Sequence, residues 1–316
     1  MIRSKLCDLL GIQYPILQGG MAWIADGALA AAVSNAGGLG IIASGSAPGD
    51  WVREQIQLAK GLTAKPFGVN IMLMSPHAAD IAQVVVEERV PVVTTGAGNP
   101  SPFMEAWRTA GISVIPVVPS VAVAKRLAQK GATAIIAEGG EAGGHVGDTT
   151  TMALVPQVAD VVDVPVIAAG GIADGRGIAA AFALGASGVQ VGTRFLVAKE
   201  CGIHQHYKDL VLKAKDRDTI ATGKRLGHPV RSLKTPFSRR FASLEYDNSV
   251  TNEELEALGT GALQRATLGD EQDGCFVAGQ IAGLVSREQT AAEMIAEMFV
   301  QAETVLQDIA KNFIRE

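Results

Sequence analysis

The sequence has few cysteines and no excess of positive charge. Its three cysteines, Cys7, Cys201 and Cys275, lie far apart among 316 residues and form no paired motif, so we expect free thiols in a reducing compartment. Lysine and arginine number 27 against 32 aspartates and glutamates, which gives a formal net charge of −5. This mild acidity argues against a general nucleic-acid-binding surface.

Long hydrophobic runs are also missing. The first stretch, MIRSKLCDLLGIQYP, has no long apolar segment, so no signal peptide is evident. No window approaches the length of about 20 apolar residues that spans a bilayer. We therefore expect a soluble, cytoplasmic protein without a membrane partner.

Apolar residues and glycine are abundant instead. Hydrophobic residues make up 48% of the chain, enough for one large core or two smaller domains. With that content and no low-complexity tract, disorder does not explain the 36 glycines. They sit at the ends of short apolar runs, where the backbone turns or approaches a ligand closely.

Eight short apolar runs alternate with helical patterns over the first two-thirds of the chain. They are rich in valine and isoleucine and do not alternate with polar residues, which is typical of strands buried on both faces. Asp26, Ser120 and Asp174 are predicted helix N-caps. Eight such units favour an α/β fold, a closed (β/α)8 TIM barrel, over an open doubly wound sheet. The runs are 14–21, 38–44, 66–72, 90–98, 112–119, 133–140, 164–171 and 188–195.

The alternation stops after residue 199. Segment 200–285 is more charged and less regular, and the final segment 286–316 has apolar positions at helical spacing. We predict a barrel made of residues 1–199 plus 286–316. Residues 200–285 are predicted to form a small inserted lid domain before the C-terminal helix.

Small and polar residues follow the last two predicted barrel strands. Gly170 and Gly171 follow the seventh strand, and Gly192 and Thr193 follow the eighth. Such neighbouring loops at the carboxyl ends of barrel strands predict a phosphate site built from backbone N–H groups and a hydroxyl. The alternative is that these glycines only make tight turns. Arg194 either adds charge there or points outward.

One histidine, His145, lies in the glycine-rich run AEGGEAGGHVGDTT, residues 137–150. An imidazole at a strand end donates a hydrogen bond to a carbonyl or relays a proton, although it also serves simply to hydrogen-bond its own loop. His204 and His206 have H-x-H spacing without a convincing third ligand, so we expect no metal site. His228 belongs to a basic cluster and is a candidate for lining a substrate or nucleotide channel.

A family resemblance covers nearly the whole chain. It rests on LQGGMAW (17–23), TTGAGNP (94–100), VIPVVPSVAVAKR (114–126), AEGGEAGGHVG (137–147), PVIAAGGIADG (165–175) and QVGTRFLVAKE (190–200). The sequence resembles the FMN-dependent enoyl-acyl-carrier-protein reductase II family, whose wider group includes the nitronate monooxygenases. Segments GHPVRSLK (227–234), GTGALQRA (259–266) and AGQIAGLVS (278–286) are more similar to the reductase branch. The family often has methionine before the glycine of GTGAL.

The resemblance implies a barrel that holds FMN without a covalent bond. It places the flavin phosphate on the two glycine-containing loops, Met21 beside the ring system, and Asn70 on the ring or ribityl chain. Glu138 would bind ribityl hydroxyls and His145 would be the catalytic residue. The implied FMN-binding set is Gly19, Gly20, Met21, Asn70, Glu138, Gly143, Ala169, Gly170, Gly171, Val191, Gly192 and Thr193.

The implied activity is reduction of trans-2-enoyl-acyl-carrier-protein by NADH or NADPH, the last step of the fatty-acid elongation cycle. The alternatives are a nitronate monooxygenase that uses FMN and O₂, and a non-catalytic flavin or phosphate sensor. The implied partners are acyl carrier protein and a second copy of the chain in a homodimer. Segment 200–285 would contribute to substrate and nicotinamide binding, with Arg225, Arg231 and Lys234 either attracting anionic groups or forming a solvated face.

Overall fold

Eight parallel strands form the centre of the protein in the computed structural model, which describes residues 2–313. They are β1 Ile16–Gln18, β2 Gly40–Ala43, β3 Phe67–Met72, β4 Val92–Gly96, β5 Ser113–Val118, β6 Ile135–Glu138, β8 Val166–Ala169 and β9 Gly188–Val191, with the short strand β7 Gly144–His145 set apart. Their order is β1-β9-β8-β6-β5-β4-β3-β2. A bridge between Leu17 and Leu39 brings the two ends of the sheet together, so the predicted (β/α)8 barrel is confirmed.

Neighbouring residues of one strand point to opposite faces and are both buried. Ile41 packs inside the barrel, whereas Ile42 packs in the layer between the strands and the helices. This double burial explains the continuous apolar runs. Helix α1, Lys5–Leu10, closes the barrel at the amino ends of the strands, where a Cβ on Gly188 would lie 2.5 Å from Leu6 Cδ2. The carboxyl ends form the opposite face.

Seven helices follow barrel strands and surround the barrel. They are α2 Gly27–Asn35, α3 Gly49–Leu62, α4 Ala78–Glu87, α5 Ser101–Thr109, α6 Val121–Gln129, α7 Thr151–Ala159 and α8 Gly175–Ala183. Asp26 caps α2 by accepting a hydrogen bond from Leu29 N at 2.9 Å, and Asp174 caps α8 by accepting one from Arg176 N at 2.9 Å. Ser120 precedes α6 as predicted, but its side chain makes no capping hydrogen bond.

The chain after β9 is irregular, as its sequence indicates. It contains α9 Gln205–Lys213, β10 Thr219–Thr222, β11 Val230–Leu233, α10 Pro236–Glu245, α11 Asn252–Gly259 and α12 Ala262–Thr267, with 3₁₀ turns at Thr193–Val197 and Gln280–Leu284. Strand β11 lies between β10 and β7 in a second, antiparallel sheet. Phe237, Phe241, Leu255 and Ala262 form a small core of their own, whereas Tyr207 joins the main core. The domain boundaries at residues 199 and 286 stay a prediction.

The last helix, α13 Ala291–Phe313, begins later than the predicted residue 286. Thr290 supplies the reason, because its hydroxyl accepts a hydrogen bond from Glu293 N at 3.2 Å and so stops the helix from extending backwards. The predicted residues 314–316 of this helix lie outside the described residues. Within the described chain, no helix is both long and apolar enough to cross a membrane.

Candidate active site

A cavity of about 710 Å³ opens at the carboxyl ends of the barrel strands. Every site residue predicted from the sequence lines it. They are Gly19, Gly20, Met21, Asn70, Glu138, Gly143, His145, Ala169, Gly170, Gly171, Val191, Gly192 and Thr193. Five different barrel strands or their following loops therefore contribute these residues to one site.

Backbone amides that have no protein partner among the described residues lie at the ends of β8 and β9. We call this part of the cavity the rim, and it consists of Gly170, Gly171, Gly192 and Thr193. Gly170 and Gly171 have φ values of 87° and 73°, where side chains other than glycine are strained. Within residues 2–313, the N–H groups of Gly170, Gly171 and Gly192 donate to no protein oxygen. Thr193 Oγ1 accepts from Gly279 N at 2.8 Å, which leaves its own proton free to donate. Such converging donors suit an anion.

Asn70 and Gly20 form another part of the cavity wall. Asn70 Nδ2 donates to Thr94 Oγ1 at 3.0 Å, which fixes the amide in the carboxyl-terminal half of β3. A Cβ on Gly20 would lie 2.5 Å from Asn70 Cβ. The loop after β1 therefore approaches Asn70 closely only because residue 20 is glycine.

Glu138 ends β6 and is partly buried in the cavity wall. In the part of the chain that the structure describes, its carboxylate has no hydrogen-bond partner. Burial without a compensating donor raises the pKa of Glu138 to about 7. A ligand that offers hydroxyl groups would satisfy this carboxylate.

His145 is held at the cavity mouth by strand pairing. It belongs to β7 and lies opposite Val230 of β11, and Val146 N donates to Pro229 O at 3.0 Å. Residue 145 reaches solvent at the mouth while its ring faces the cavity, with the ring centre 6.3 Å from that of His228. Partial burial in the cavity, and then the positive charge of His228, lower the pKa of His145. The neutral imidazole, with one N–H donor, therefore dominates at neutral pH.

Residues from the segment after β9 cover the cavity, and sequence reasoning did not single them out individually. This roof consists of Val230, Leu263, Val277, Ala278, Gly279 and Ile281. A Cβ on Gly143 would lie 2.7 Å from Gly279 N, and Gln280 N donates to Glu141 O at 2.9 Å. The glycines of AGQIAGLVS indicated a close backbone approach in this segment. They follow no barrel strand, however, so the sequence did not show that the segment reaches the cavity. Gln190, a polar residue within an apolar strand, also lines the cavity.

Several polar candidates lie away from the cavity. Arg194 is buried and donates to Arg287 O at 3.1 Å, so it neither reaches the rim nor points into solvent. Arg231 Nη2 donates to Gly140 O at 3.0 Å, and Arg225 Nε donates to Asn252 Oδ1 at 2.9 Å. Lys234 Nζ donates to Arg217 O at 2.5 Å. Each of these three basic residues therefore donates a hydrogen bond to another segment of the chain, and they do not form a uniformly solvated face.

His204 and His228 have protein partners. His204 Nδ1 accepts from His206 N at 3.2 Å and caps α9. His228 Nε2 lies 2.8 Å from Glu256 Oε1, and His228 does not line the cavity itself. Across residues 2–313, no three His, Cys, Asp or Glu side chains are grouped so as to hold a metal ion.

Comparisons with known proteins agree on the family and differ on the reaction. The chain is 47% identical to FabK from Thermotoga maritima, with 99% of this chain and 100% of that chain covered and a TM-score of 0.97. It is 42% identical over 74% of its length to (3aS,4S,5R,7aS)-5-hydroxy-7a-methyl-1-oxo-octahydro-1H-indene-4-carboxyl-CoA dehydrogenase from Rhodococcus jostii, covering 66% of that protein. It is 32% identical to a probable nitronate monooxygenase from Staphylococcus saprophyticus, with 96% and 99% covered. The profile of the nitronate monooxygenase family matches residues 3–301, and the chain belongs to that family of oxidoreductases.

Proposed function

We propose that this protein reduces the trans-2 double bond of enoyl thioesters carried by acyl carrier protein, with bound FMN and with NADH or NADPH as reductant. The observation that carries the proposal is the likeness to FabK, the enoyl-acyl-carrier-protein reductase II, over essentially both whole chains. The likeness includes segments 227–234 and 278–286, which supply roof residues of the cavity. The roof that would cover the acyl group is therefore inside the region of similarity.

The residues of the cavity fit FMN. Three amides without protein partners and the Thr193 hydroxyl suit its dianionic phosphate. Glu138, a carboxylate without a protein donor, suits ribityl hydroxyls. Asn70, fixed by Thr94, has an amide oxygen to accept from a ring or ribityl donor. Glycine at residue 20 lets the loop after β1 pack directly against Asn70.

When bound, FMN would supply the hydride transfer between the nicotinamide and the β-carbon of the enoyl group. The chain's own residues would orient the substrate. His145, neutral at pH 7, would donate its N–H to the thioester carbonyl and so polarise the double bond. Val230, Val277 and Ile281 of the roof would cover the acyl chain and keep water from the reacting atoms.

A nitronate monooxygenase is the second candidate, because the family profile and the staphylococcal relative have that name. The two candidates differ in their need for nicotinamide. Under anaerobic conditions, NADH or NADPH should bleach the flavin absorbance, and crotonyl thioester should restore it. Rapid turnover of an alkyl nitronate, with no bleaching by either nicotinamide and no enoyl reduction, would reject the reductase.

Two substitutions of His145 distinguish a hydrogen-bond donor to the thioester carbonyl from a proton donor. Replacing it by alanine removes both roles, and we expect kcat with crotonyl-CoA to fall about 100-fold. His145→Gln keeps an N–H donor but cannot deliver a proton, so a carbonyl donor predicts partial recovery over the alanine variant. Equal losses in the two variants would contradict the carbonyl-donor role. Flavin content, measured by absorbance, should stay at the wild-type level in both.

A further inference from the structure

One arginine at the cavity mouth has no part in the site described above. Arg126 lies on α6, and it lines the cavity together with Val123, one helical turn earlier. On the same helix, Ala124 and Leu127 are buried against the barrel. Helix α6 therefore turns one face to the barrel and extends the cavity outward with its neighbouring face.

The guanidinium of Arg126 is exposed and makes no hydrogen bond or ion pair within the described residues. It is the one lysine or arginine among the residues that line the cavity there. Neither acidic residue of the lining pairs with it. Glu141 accepts hydrogen bonds from Thr151 N at 2.9 Å and Thr151 Oγ1 at 3.0 Å and acts electrostatically on Arg231, and burial raises the pKa of Glu138 to about 7. Arg126 is therefore a guanidinium at the mouth that neither acid of the cavity lining binds.

Arg126 and His145 share this mouth. The loop that carries His145 packs against the residues before α6, where a Cβ on Gly147 would lie 3.2 Å from Pro119 Cβ. A thioester whose carbonyl reaches His145 has its pantetheine arm pointing outward, and that arm ends in a phosphate ester in coenzyme A and in acyl carrier protein. The Rhodococcus relative is named for a coenzyme A thioester.

We propose that Arg126 binds the phosphate ester of an incoming co-substrate at the cavity mouth. The pantetheine arm of the thioester is the source that the position of His145 favours, and the pyrophosphate of the nicotinamide offers the same chemistry. Guanidinium suits this role because it donates two parallel hydrogen bonds to phosphate oxygens. The inference rests on the proposed function and adds a specificity-determining residue for carrier-bound substrates.

The test uses two thioesters with the same reacting group. Crotonyl-CoA has the phosphate ester, and S-crotonyl-N-acetylcysteamine lacks it. Arg126→Gln should raise KM for crotonyl-CoA about tenfold, the size of one charge-assisted hydrogen bond, and leave KM for the short thioester unchanged. The KM of Arg126→Lys for crotonyl-CoA should lie between those of Arg126→Gln and the wild type. Lys125→Gln is the matched control, because it removes the same charge from an exposed neighbour outside the cavity.

The source of the phosphate follows from which KM changes. A rise confined to crotonyl-CoA assigns it to the pantetheine arm, and a rise confined to NADH or NADPH assigns it to the nicotinamide. Unchanged KM values for all of them in Arg126→Gln would overturn the proposal, as would an equal effect of Lys125→Gln. Calorimetric titration with free coenzyme A reads the subsite without turnover. Binding that depends on Arg126 in a protein without enoyl reduction would keep the subsite and reject the proposed reaction.

Discussion

The rim and the roof of the cavity are built in different ways. The rim consists of backbone amides at the ends of two neighbouring strands, one β–α unit apart. The roof consists of apolar side chains that reach the site from far along the chain, and β11 holds His145 by pairing with β7. Backbone amides would bind the phosphate of FMN whatever the neighbouring side chains are. The apolar side chains of the roof, by contrast, change with every substitution. The rim should therefore decide cofactor binding, and the roof should decide the reaction.

Blocking the rim is expected to have the largest effect. Gly192 has φ −108°, so a side chain there is unstrained, and its Cβ would lie 3.7 Å from Met21 Sδ. The methyl groups of Gly192→Val would fill the cradle, and we expect about 100-fold weaker FMN binding. Fluorescence titration of the FMN-free protein measures it. Gly61→Val, which has nothing within 4 Å of its Cβ, is the control. Equal FMN affinity in the two variants would show that the rim does not hold the cofactor.

The buried carboxyl of Glu138 should make the stability of the FMN-free protein depend on pH. Its pKa is raised from 4.5 to about 7, so between these values the native protein holds a proton that the unfolded chain releases. Stability therefore falls as pH rises through this window and stays lower above it. In the protein without FMN, Glu138→Gln should reduce this loss by about 2 kcal/mol, discounted for partial exposure. Urea denaturation at about pH 5 and about pH 8 measures it; an unchanged pH dependence would contradict the assignment.

Weakening the contact between residues 140–147 and strand β11, which carries Val230 of the roof, should have a smaller effect on the protein. Arg231→Met removes the guanidinium hydrogen bonds to Gly140 O at 3.0 and 3.2 Å. We expect about tenfold faster amide hydrogen exchange in residues 140–147, with FMN affinity unchanged. The control is Arg240→Met, which removes an exposed ion pair with Asp273. Loss of FMN from Arg231→Met, as complete as from Gly192→Val, would show that rim and roof are not separable.

The same contrast explains what the sequence could predict. Parallel strands of a barrel end at one face, so reading the carboxyl end of each apolar run was enough to predict that Asn70, Glu138 and Gly171 share one cavity. No such rule applies to β11, whose pairing with β7 is a contact between distant segments. Arg194 follows β9 directly but turns away, because Arg287 offers it a carbonyl. Strand-end position predicts backbone placement and does not predict the direction of a long side chain.

The smallest expected effect concerns the charge beside His145. Burial in the cavity is the larger cause that lowers the pKa of His145, and the positive charge of His228 is the second. Replacing His228 by glutamine removes only the second cause, so the pKa of His145 should rise but stay below its ordinary value. His228 is 2.8 Å from Glu256, so Glu256→Gln is a companion variant that leaves both imidazoles in place. An NMR titration of the His145 ring protons reads the change directly. A lower or unchanged pKa in His228→Gln would mean that the two rings do not interact through charge, and that the cavity alone keeps His145 neutral.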